Sequence, residues 1–460
     1  MLRLVFLALW VGAHILPGYG QVPHISGTIE VSISKKSIEC ELSYSNLPEQ
    51  YAIRLNKLFV RPDFRDGNGN ELEAAKEDSH NTYESQGYSL ISGNQPRQFQ
   101  ADYQVRLPLR NRFRNKVSDW KGNLAFNRYS LRASEQTEWY PVVIDKETGL
   151  VINEFSYDLQ ITCEDCTSLY INGSPPVAAS TGEFKANTPY QLMLYVGDYS
   201  FTKSGSVYFL NSPLSPEQEE FFRAQIDTVT AYYARKLEIP YGKEFVLIQT
   251  TPTARHKAWQ FNTYPAIVTI GYEPYTMARM FRKPGSRGVR PGSLATTYHE
   301  TAHFYFGVSW VPVGPLRWAF LEGFNEYVAL QACRDLMGPD QEYERRLAWY
   351  GDVVKDKDFT PLHEVSEVSQ IGSTYRYRYV PLLLSAIESE IGREASWAWL
   401  QTILASEATE VADYPFFRNT LLESGVPEEV VVSLEERFIF SPSAKENVLD
   451  ALGLTVAEQE

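Results

Sequence analysis

The spacing of apolar residues changes once along this 460-residue chain, close to residue 205. From about Val22 to Ser204, segments such as "GTIEVSIS", "SIECELSYS" and "FSYDLQITC" alternate apolar with polar residues. Clusters of Gly, Asn, Pro and Asp separate these segments, and such alternation is typical of half-buried strands. We therefore expect the first part of the chain to form an antiparallel β-domain, a sandwich or a saddle.

Helical patterns begin at "SPEQEEFFRAQIDTVTAYYARKLEI", where Ser215 and Pro216 are typical of an N-cap and of the first helical position. Two short strand-like segments, "EFVLIQTT" and "AIVTIGY", follow, and helical patterns then continue to about Gly453. The sequence thus predicts a multidomain α+β protein, with a mixed α/β and then mainly helical second part. The expected divisions are a signal peptide at 1–20, the β-domain at 21–208, the second domain at 209–410 and a short C-terminal helical segment at 411–460.

The first twenty residues are typical of a secretory signal peptide. Arg3 precedes a short apolar run, and the small residues Gly18 and Gly20 lie just before a plausible cleavage point. The apolar run is short for a membrane span, and no later stretch of the sequence is long and apolar enough for one. We expect a mature chain that begins near Gln21 and is exported to the periplasm or secreted, without stable membrane insertion.

The chain is acidic, with a formal net charge of −14 at pH 7. Such a charge repels phosphate backbones and anionic membrane surfaces, which argues against nucleic acid as a partner. Solubility alone is also a sufficient explanation of this net charge. The composition indicates no particular oligomeric state.

Four cysteines occur in the sequence, and in an exported protein an even, small number indicates one or two structural disulfides. The candidates are Cys40, Cys163 and Cys166, with the Cys163-Glu-Asp-Cys166 pair at one end of a bridge. Free or redox-active thiols and a metal site are the alternatives.

The segment "TTYHETAHFYFG" places His299 and His303 four residues apart, so that on a helix the two side chains share one face. Glu300 lies beside them. Zinc hydrolases need this combination, since two imidazoles bind the ion and a carboxylate takes a proton from water. The pair also occurs by chance, so a third ligand decides its meaning.

Glu322 is the candidate third ligand, because a catalytic zinc normally has three protein ligands. Eighteen residues separate it from His303, enough to cross the loop "VPVGPL" and begin a second helix whose first turn faces the histidines. The structural alternative is a carboxylate at a helix N-terminus, where it is favoured in any case, beside histidines satisfied in the core. That alternative explains each residue singly but not the joint spacing.

These motifs, "HETAHFYFG" and "LEGFNEYV" with their spacing, resemble the aminopeptidase N-like gluzincins, as does "YYARKLEIPYGKEFVLIQTTP" upstream. The resemblance implies a thermolysin-like catalytic domain after an N-terminal β-domain. It implies one Zn²⁺ per chain, bound by His299, His303 and Glu322, with Glu300 as the general base. The implied reaction is hydrolysis of a peptide or protein through a metal-activated water.

The same family uses a tyrosine on a later helix to stabilise the oxyanion. In "STYRYRYVPLLL" the candidates are Tyr375, Tyr377 and Tyr379, and Tyr377 matches the family pattern best. The alternative is that all three tyrosines serve in packing.

Two further sets of charged residues accompany the site. Glu326 follows Glu322 by one helical turn, so it either accepts a proton from a ligand imidazole or lies on an exposed face. Arg376 and Arg378, which flank the favoured tyrosine, either pair with a substrate carboxylate or lie on a solvated face.

The chain departs from the family upstream of the first motif. Aminopeptidases of this kind hold the substrate amino group with a Gly-x-Met-Glu-Asn segment, whereas the corresponding "KAWQFNTYPAIVTI" contains no acid. Gln260 is the candidate substrate contact there. Aminopeptidase action follows from the resemblance, with an endopeptidase and an inactive metal-site binding or scaffold protein as alternatives.

Overall fold

A computed structural model describes residues 22–59, 61–82, 84–91, 97–106, 124–126, 128–250, 259–270, 277–281, 288–338, 342–407 and 410–454. The expected signal peptide therefore lies outside the described residues. The chain divides into two compact units, Met1–Ser200 and Phe201–Glu460.

The first unit is built from strands. Within its described residues they are β1 (His24–Ser32), β2 (Ser37–Ser45), β3 (Tyr51–Asn56), β4 (Asp63–Asp66), β5 (Glu73–Lys76), β6 (Ser85–Ile91), β7 (Phe99–Arg106), β8 (Ala125–Phe126), β9 (Ser130–Ala133), β10 (Val142–Asp145), β11 (Val151–Ile152), β12 (Glu154–Thr162), β13 (Ser168–Ile171), β14 (Thr181–Gln191) and β15 (Leu194–Gly197). They form three sheets with the orders β14-β12-β1-β2-β7-β4, β11-β10-β3-β6-β5 and β13-β15-β9-β8.

Alternating burial explains these strands. In β2, Ile38, Cys40 and Leu42 are buried while the residues between them are exposed. The predicted antiparallel β-domain is confirmed, with one exception in the pairing of its strands. Strand β1 runs antiparallel to β2 but parallel to β12, with Ile25 opposite Tyr157.

The cysteines in the first unit only partly follow the sequence-based expectation. Cys163 and Cys166 form a disulfide with each other rather than one end of a longer bridge. Cys40, a predicted disulfide candidate, is instead a free thiol, because its side chain points from β2 into the buried face of the first sheet. Cys333, in the second unit, is also a buried free thiol.

The second unit combines one sheet with helices. The sheet has the order β16-β17-β18-β20-β19, from β16 (Phe201–Ser204), β17 (Val207–Leu210), β18 (Phe245–Gln249), β19 (Trp259–Thr263) and β20 (Ala266–Ile270). Its three inner strands are parallel, and both edge strands are antiparallel to their neighbours. The described helices are α1 (Pro216–Leu237), α2 (Pro291–Ala302), α3 (Asn325–Ala332), α4 (Glu344–Val354), α5 (Val380–Ile391), α6 (Arg393–Ala405), α7 (Tyr414–Glu423), α8 (Glu428–Leu434) and α9 (Ala444–Ala451).

Helix α1 begins where the sequence predicts. The Ser215 hydroxyl accepts a hydrogen bond from the Gln218 backbone N–H, and the Gln218 side chain accepts one from the Ser215 N–H. This capping box satisfies two otherwise unpaired donors at the helix start. None of the helices among the described residues has both the length and the apolar character that a membrane crossing requires.

Two of the π-helical turns in the helical part carry candidate site residues. Ala319–Phe324 precedes α3, and Tyr375–Tyr379 precedes α5. Glu322 therefore lies inside a wide turn rather than in the first turn of a helix as predicted, because the chain is already helical from Leu316, whose carbonyl accepts hydrogen bonds from Ala319 and Phe320. π-Helical turns are rare and often mark functional positions.

Candidate active site

The three predicted metal ligands come together in the second unit. His299 lies in the last turn of α2, which buries Leu294, Ala295 and Tyr298, and His303 caps that helix. The Nε2 atoms of His299 and His303 each lie 3.4 Å from Oε2 of Glu322. His299 is buried, and the other two residues are half-buried.

This arrangement fits a zinc ion. Ligand atoms about 2.0–2.1 Å from a tetrahedral zinc ion lie about 3.3 Å from one another. The observed nitrogen-to-oxygen separations of 3.4 Å match that spacing. The imidazole rings stand nearly perpendicular, at 88° with centroids 4.9 Å apart, so both can direct a nitrogen to one point. Two imidazoles and one carboxylate also form a donor set typical of catalytic zinc.

The electrostatics of the cluster favour a cation at the same point. Burial lowers the pKa of His299, but Glu322 and Glu326 outweigh burial and raise the pKa to about 10. Burial likewise raises the pKa of Glu322, and both histidines outweigh it, so the Glu322 pKa falls well below its usual range. An ionised carboxylate facing two imidazoles attracts either a proton or a metal ion.

Glu326 lies on the other side of His299, as the one-turn spacing from Glu322 predicts. Its Oε2 is 2.9 Å from His299 Nδ1. Its Oε1 accepts hydrogen bonds from Arg346, at 2.7 Å, and from the Tyr350 hydroxyl. Burial raises the pKa of Glu326, but His299 and Arg346 outweigh it and lower the pKa to about 2. Glu326 is thus an ionised group that holds the Nδ1 side of the ring and leaves Nε2 facing Glu322.

Asn325 contacts the other histidine of the cluster, His303, and sequence reasoning missed it. Its Nδ2 lies 2.7 Å from His303 Nδ1 and donates to the carbonyl oxygens of Phe306 and Leu321, both at 2.7 Å. The spacing of three residues from Glu322 places it on the same helical face, which is the signal that would have found it.

Glu300 and Tyr377 complete the predicted catalytic set. Glu300 is buried on α2 next to His299. The Tyr377 ring lies 5.9 Å from the His299 ring. Burial, together with the nearby Glu322 charge, raises the pKa of Tyr377, so its phenol is a neutral donor at neutral pH. The structure brings both residues to the cluster.

The two neighbouring tyrosines point elsewhere. The Tyr375 hydroxyl donates to the Thr360 carbonyl at 2.9 Å, and Tyr379 stacks on Phe359 with centroids 4.8 Å apart. Of the three candidates only Tyr377 has a ring contact with a histidine of the cluster among the described residues.

Gln260, the predicted substrate contact, lies on edge strand β19. Its Nε2 donates to Thr269 Oγ1 at 3.1 Å, and its Oε1 accepts from Thr297 Oγ1 at 3.4 Å. Thr297 precedes His299 on α2 by two residues. The Gln260 amide therefore connects the edge strand to the helix that carries the histidines.

Two arginines lie on one indole ring close to the cluster. The Cζ of Arg376 is 4.4 Å from the Trp318 ring centre and 5.1 Å from that of Tyr377. The Cζ of Arg317, which sequence reasoning did not single out, is 4.6 Å from the same Trp318 ring. Arg378 instead packs over Trp349.

Known structures share this architecture. By sequence, the chain matches no family description and no curated protein. By structure, native yeast LTA4 hydrolase is similar over 92% of this chain and 68% of its own, with a TM-score of 0.60 and 14% identity. The M1 zinc metallopeptidase from Deinococcus radiodurans is similar over 90% of this chain and 93% of its own, with a TM-score of 0.55 and 14% identity. The chain therefore has the fold of the M1 zinc metallopeptidases, as the sequence motifs predict.

Proposed function

We propose that this protein is a zinc-dependent metallopeptidase. The cluster of His299, His303 and Glu322 carries the proposal, because its three donor atoms have the spacing of one zinc coordination sphere. Glu300 and Tyr377 beside it supply a base and a hydrogen-bond donor. A structural neighbour, the M1 metallopeptidase from Deinococcus radiodurans, has been observed with a Tyr-Ser-Ala substrate, which supports a peptide as substrate.

Each residue has a defined task in this proposal. A zinc ion, when bound, acidifies a water molecule and polarises a carbonyl group. Glu300 accepts the proton of the attacking water and passes it to the leaving nitrogen. The Tyr377 phenol donates a hydrogen bond to the oxyanion that develops on the scissile carbonyl. Glu326 fixes the orientation of His299 throughout.

The proposal is tested with purified protein, a peptide library and a zinc assay. We expect one zinc per chain in the wild type and in Glu300→Gln, with peptide cleavage lost in the variant by about 10³-fold or more. A chelator should abolish cleavage and added zinc restore it. Glu390→Gln, which changes an exposed carboxylate paired with Arg437, is the matched control.

Two results would overturn the proposal. Bound zinc without cleavage of any peptide would exclude a peptidase and leave the binding or scaffold alternative. Full zinc occupancy in His303→Ala would refute the ligand assignment.

Within this class, we propose aminopeptidase action, which the resemblance of the motifs and the M1 neighbours support. One observation favours the endopeptidase alternative, since β19 (Trp259–Thr263) contains no carboxylate to hold a substrate ammonium group. Peptides with free and acetylated amino termini separate the two modes. Loss of cleavage on acetylation indicates an aminopeptidase, and internal cleavage of acetylated peptides indicates an endopeptidase.

We also propose that the protein is exported. The basic residue, short apolar run and small residues of positions 1–20 support this proposal. Cell fractionation and N-terminal sequencing test it, with an expected mature terminus near Gln21. A full-length chain confined to the cytoplasm would contradict it.

A further inference from the structure

Arg317 and Arg376, like Arg378, have no acidic partner among the described residues, in contrast to Arg334 and Arg346. Arg346 pairs with Glu326 and Glu342, and Arg334 pairs with Glu388. Neither Arg317 nor Arg376 has a carboxylate within ion-pair distance among the described residues. The Arg376 Nε is moreover buried without a hydrogen-bond partner. A buried donor without a partner is unfavourable, so a ligand that accepts a hydrogen bond from it gains binding free energy.

The two guanidinium groups contact the same indole ring. Arg317 and Arg376 lie over Trp318 with Cζ-to-centroid distances of 4.6 and 4.4 Å. Desolvation and the positive charge of Arg376 lower the pKa of Arg317, as expected for like charges in proximity. Arginine side chains in general carry a positive charge at neutral pH. The pair is therefore a concentration of positive charge without internal compensation among the described residues.

Arg376 lies next to one of the predicted catalytic residues, Tyr377. Arg376 is also 5.1 Å from the Tyr377 ring centre, and that ring is 5.9 Å from His299. The Glu322 carboxylate faces the histidines and is engaged there. One aromatic ring, that of Tyr377, thus separates the Arg376 guanidinium group from His299.

Guanidinium groups bind carboxylates in a planar, two-point geometry, and a peptide carries carboxylates at its C-terminus and on acidic side chains. The opposite end of a peptide finds no counterpart on the edge strand, because β19 contains no acid. We propose that Arg317 and Arg376 recognise a carboxylate of the substrate, so that the enzyme selects peptides by a negative charge close to the scissile bond. This inference rests on the proposed peptidase function.

Four otherwise identical peptides test the inference and identify the source of the carboxylate. One pair differs only in a C-terminal acid or amide, and a second, amidated pair differs only in Glu or Gln next to the scissile bond. In at least one pair, the wild type should cleave the acidic peptide with a kcat/KM about 10- to 100-fold higher than that for the neutral peptide. The pair that shows the preference identifies the carboxylate.

Arg376→Gln, Arg317→Gln and the double variant should reduce that ratio stepwise towards one, mainly through KM. Arg376→Lys, which keeps the charge but not the two-point geometry, should retain only part of it. Arg437→Gln, an exposed arginine paired with Glu390, should leave the ratio unchanged. Equal cleavage of both members of each pair by the wild type, or an unchanged ratio in the double variant, would overturn the inference.

A binding measurement separates this inference from the proposed function. Calorimetric titration of zinc-loaded Glu300→Gln with the same peptides does not require turnover. Suppose that the zinc-loaded protein binds the acidic peptide more tightly than its neutral counterpart, and that Arg376→Gln removes this difference. That result supports the inference even if no peptide is cleaved. Equal binding of acid and amide contradicts it even if the protein is an active peptidase.

Discussion

The carboxylate of Glu326 lies 2.9 Å from Nδ1 of His299, on the side of the ring opposite the nitrogen that faces Glu322. Arg346 and Tyr350 hold this carboxylate in turn. The orientation of His299 thus depends on a chain of contacts from α2 through α3 to α4.

Replacing Glu326 with Gln should weaken zinc binding by about 10- to 100-fold, because the amide holds the imidazole less strongly and lowers its basicity. Competition with a chelating dye measures the change. Glu390→Gln, an exposed carboxylate, serves as control. Equal zinc affinity in the two variants would show that the contact with His299 is only structural.

Replacing Asn325 with Leu should reduce both stability and zinc affinity. The carbonyl oxygens of Phe306 and Leu321 would lose the hydrogen bonds from Asn325, which costs about 1–3 kcal/mol of unfolding free energy. His303 would lose its neighbour at Nδ1 at the same time. Urea denaturation measures the stability, and dye competition measures the zinc affinity. A variant with lower stability but wild-type zinc affinity would show that the contact of Asn325 with His303 does not contribute to zinc binding.

Tyr377→Phe should lower kcat by about 10²- to 10³-fold while leaving zinc content and KM nearly unchanged, because the lost hydrogen bond forms only as the oxyanion develops. Tyr375→Phe is the matched control, since its hydroxyl bonds only the Thr360 carbonyl in the described structure. Steady-state kinetics distinguish them. A loss of activity confined to Tyr375→Phe would contradict the assignment of Tyr377.

Gly323→Ala should destabilise the second unit by about 1–3 kcal/mol through overpacking. An added Cβ would come within 2.7 Å of the Val380 Cβ and 3.1 Å of the Arg376 carbonyl oxygen. The turn that carries Glu322 and the turn that carries Tyr377 would be pushed apart. Thermal denaturation measures the effect, and Gly372→Ala, where the added carbon meets nothing within 4 Å, is the control.

Glu154 should make stability depend on pH. Burial raises its pKa in the folded protein from 4.5 to about 7. The folded state therefore holds the proton more tightly than the unfolded state, so this stabilisation is full below pH 4.5 and is lost as the pH rises through 7. The loss is about 3 kcal/mol. Denaturation curves from pH 5 to pH 8 should show it in the wild type and not in Glu154→Gln; parallel curves would refute it.

Local spacing predicts much of the site because helix geometry relates residues that are close in sequence. His299 and His303, and Glu322 and Glu326, are each one turn apart, which is sufficient to place them on common faces. The role of Arg346 depends on a contact with Glu326 across 20 residues, and no local pattern indicates it.

The same limit applies to the fold. Alternation predicts the strands and the general architecture, because burial of one face leaves a direct trace in the sequence. The parallel pairing of β1 with β12 joins residues more than a hundred positions apart, and periodicity contains no information on which strands become neighbours. The shared position of Arg317 and Arg376 on Trp318 is equally invisible, since it arises from two helical turns that meet in space.

The π-helical turn Ala319–Phe324 makes the site sensitive to insertions and deletions on both sides of Glu322. The segment between His303 and this turn buries Phe306, Trp310 and Leu316 in the core, so a change in its length would displace the turn. A single deletion between Glu322 and Glu326 would rotate Glu322 by about 100° relative to Glu326. Homologues of this protein should therefore keep both the number of residues from His303 to Glu322 and the number from Glu322 to Glu326 constant.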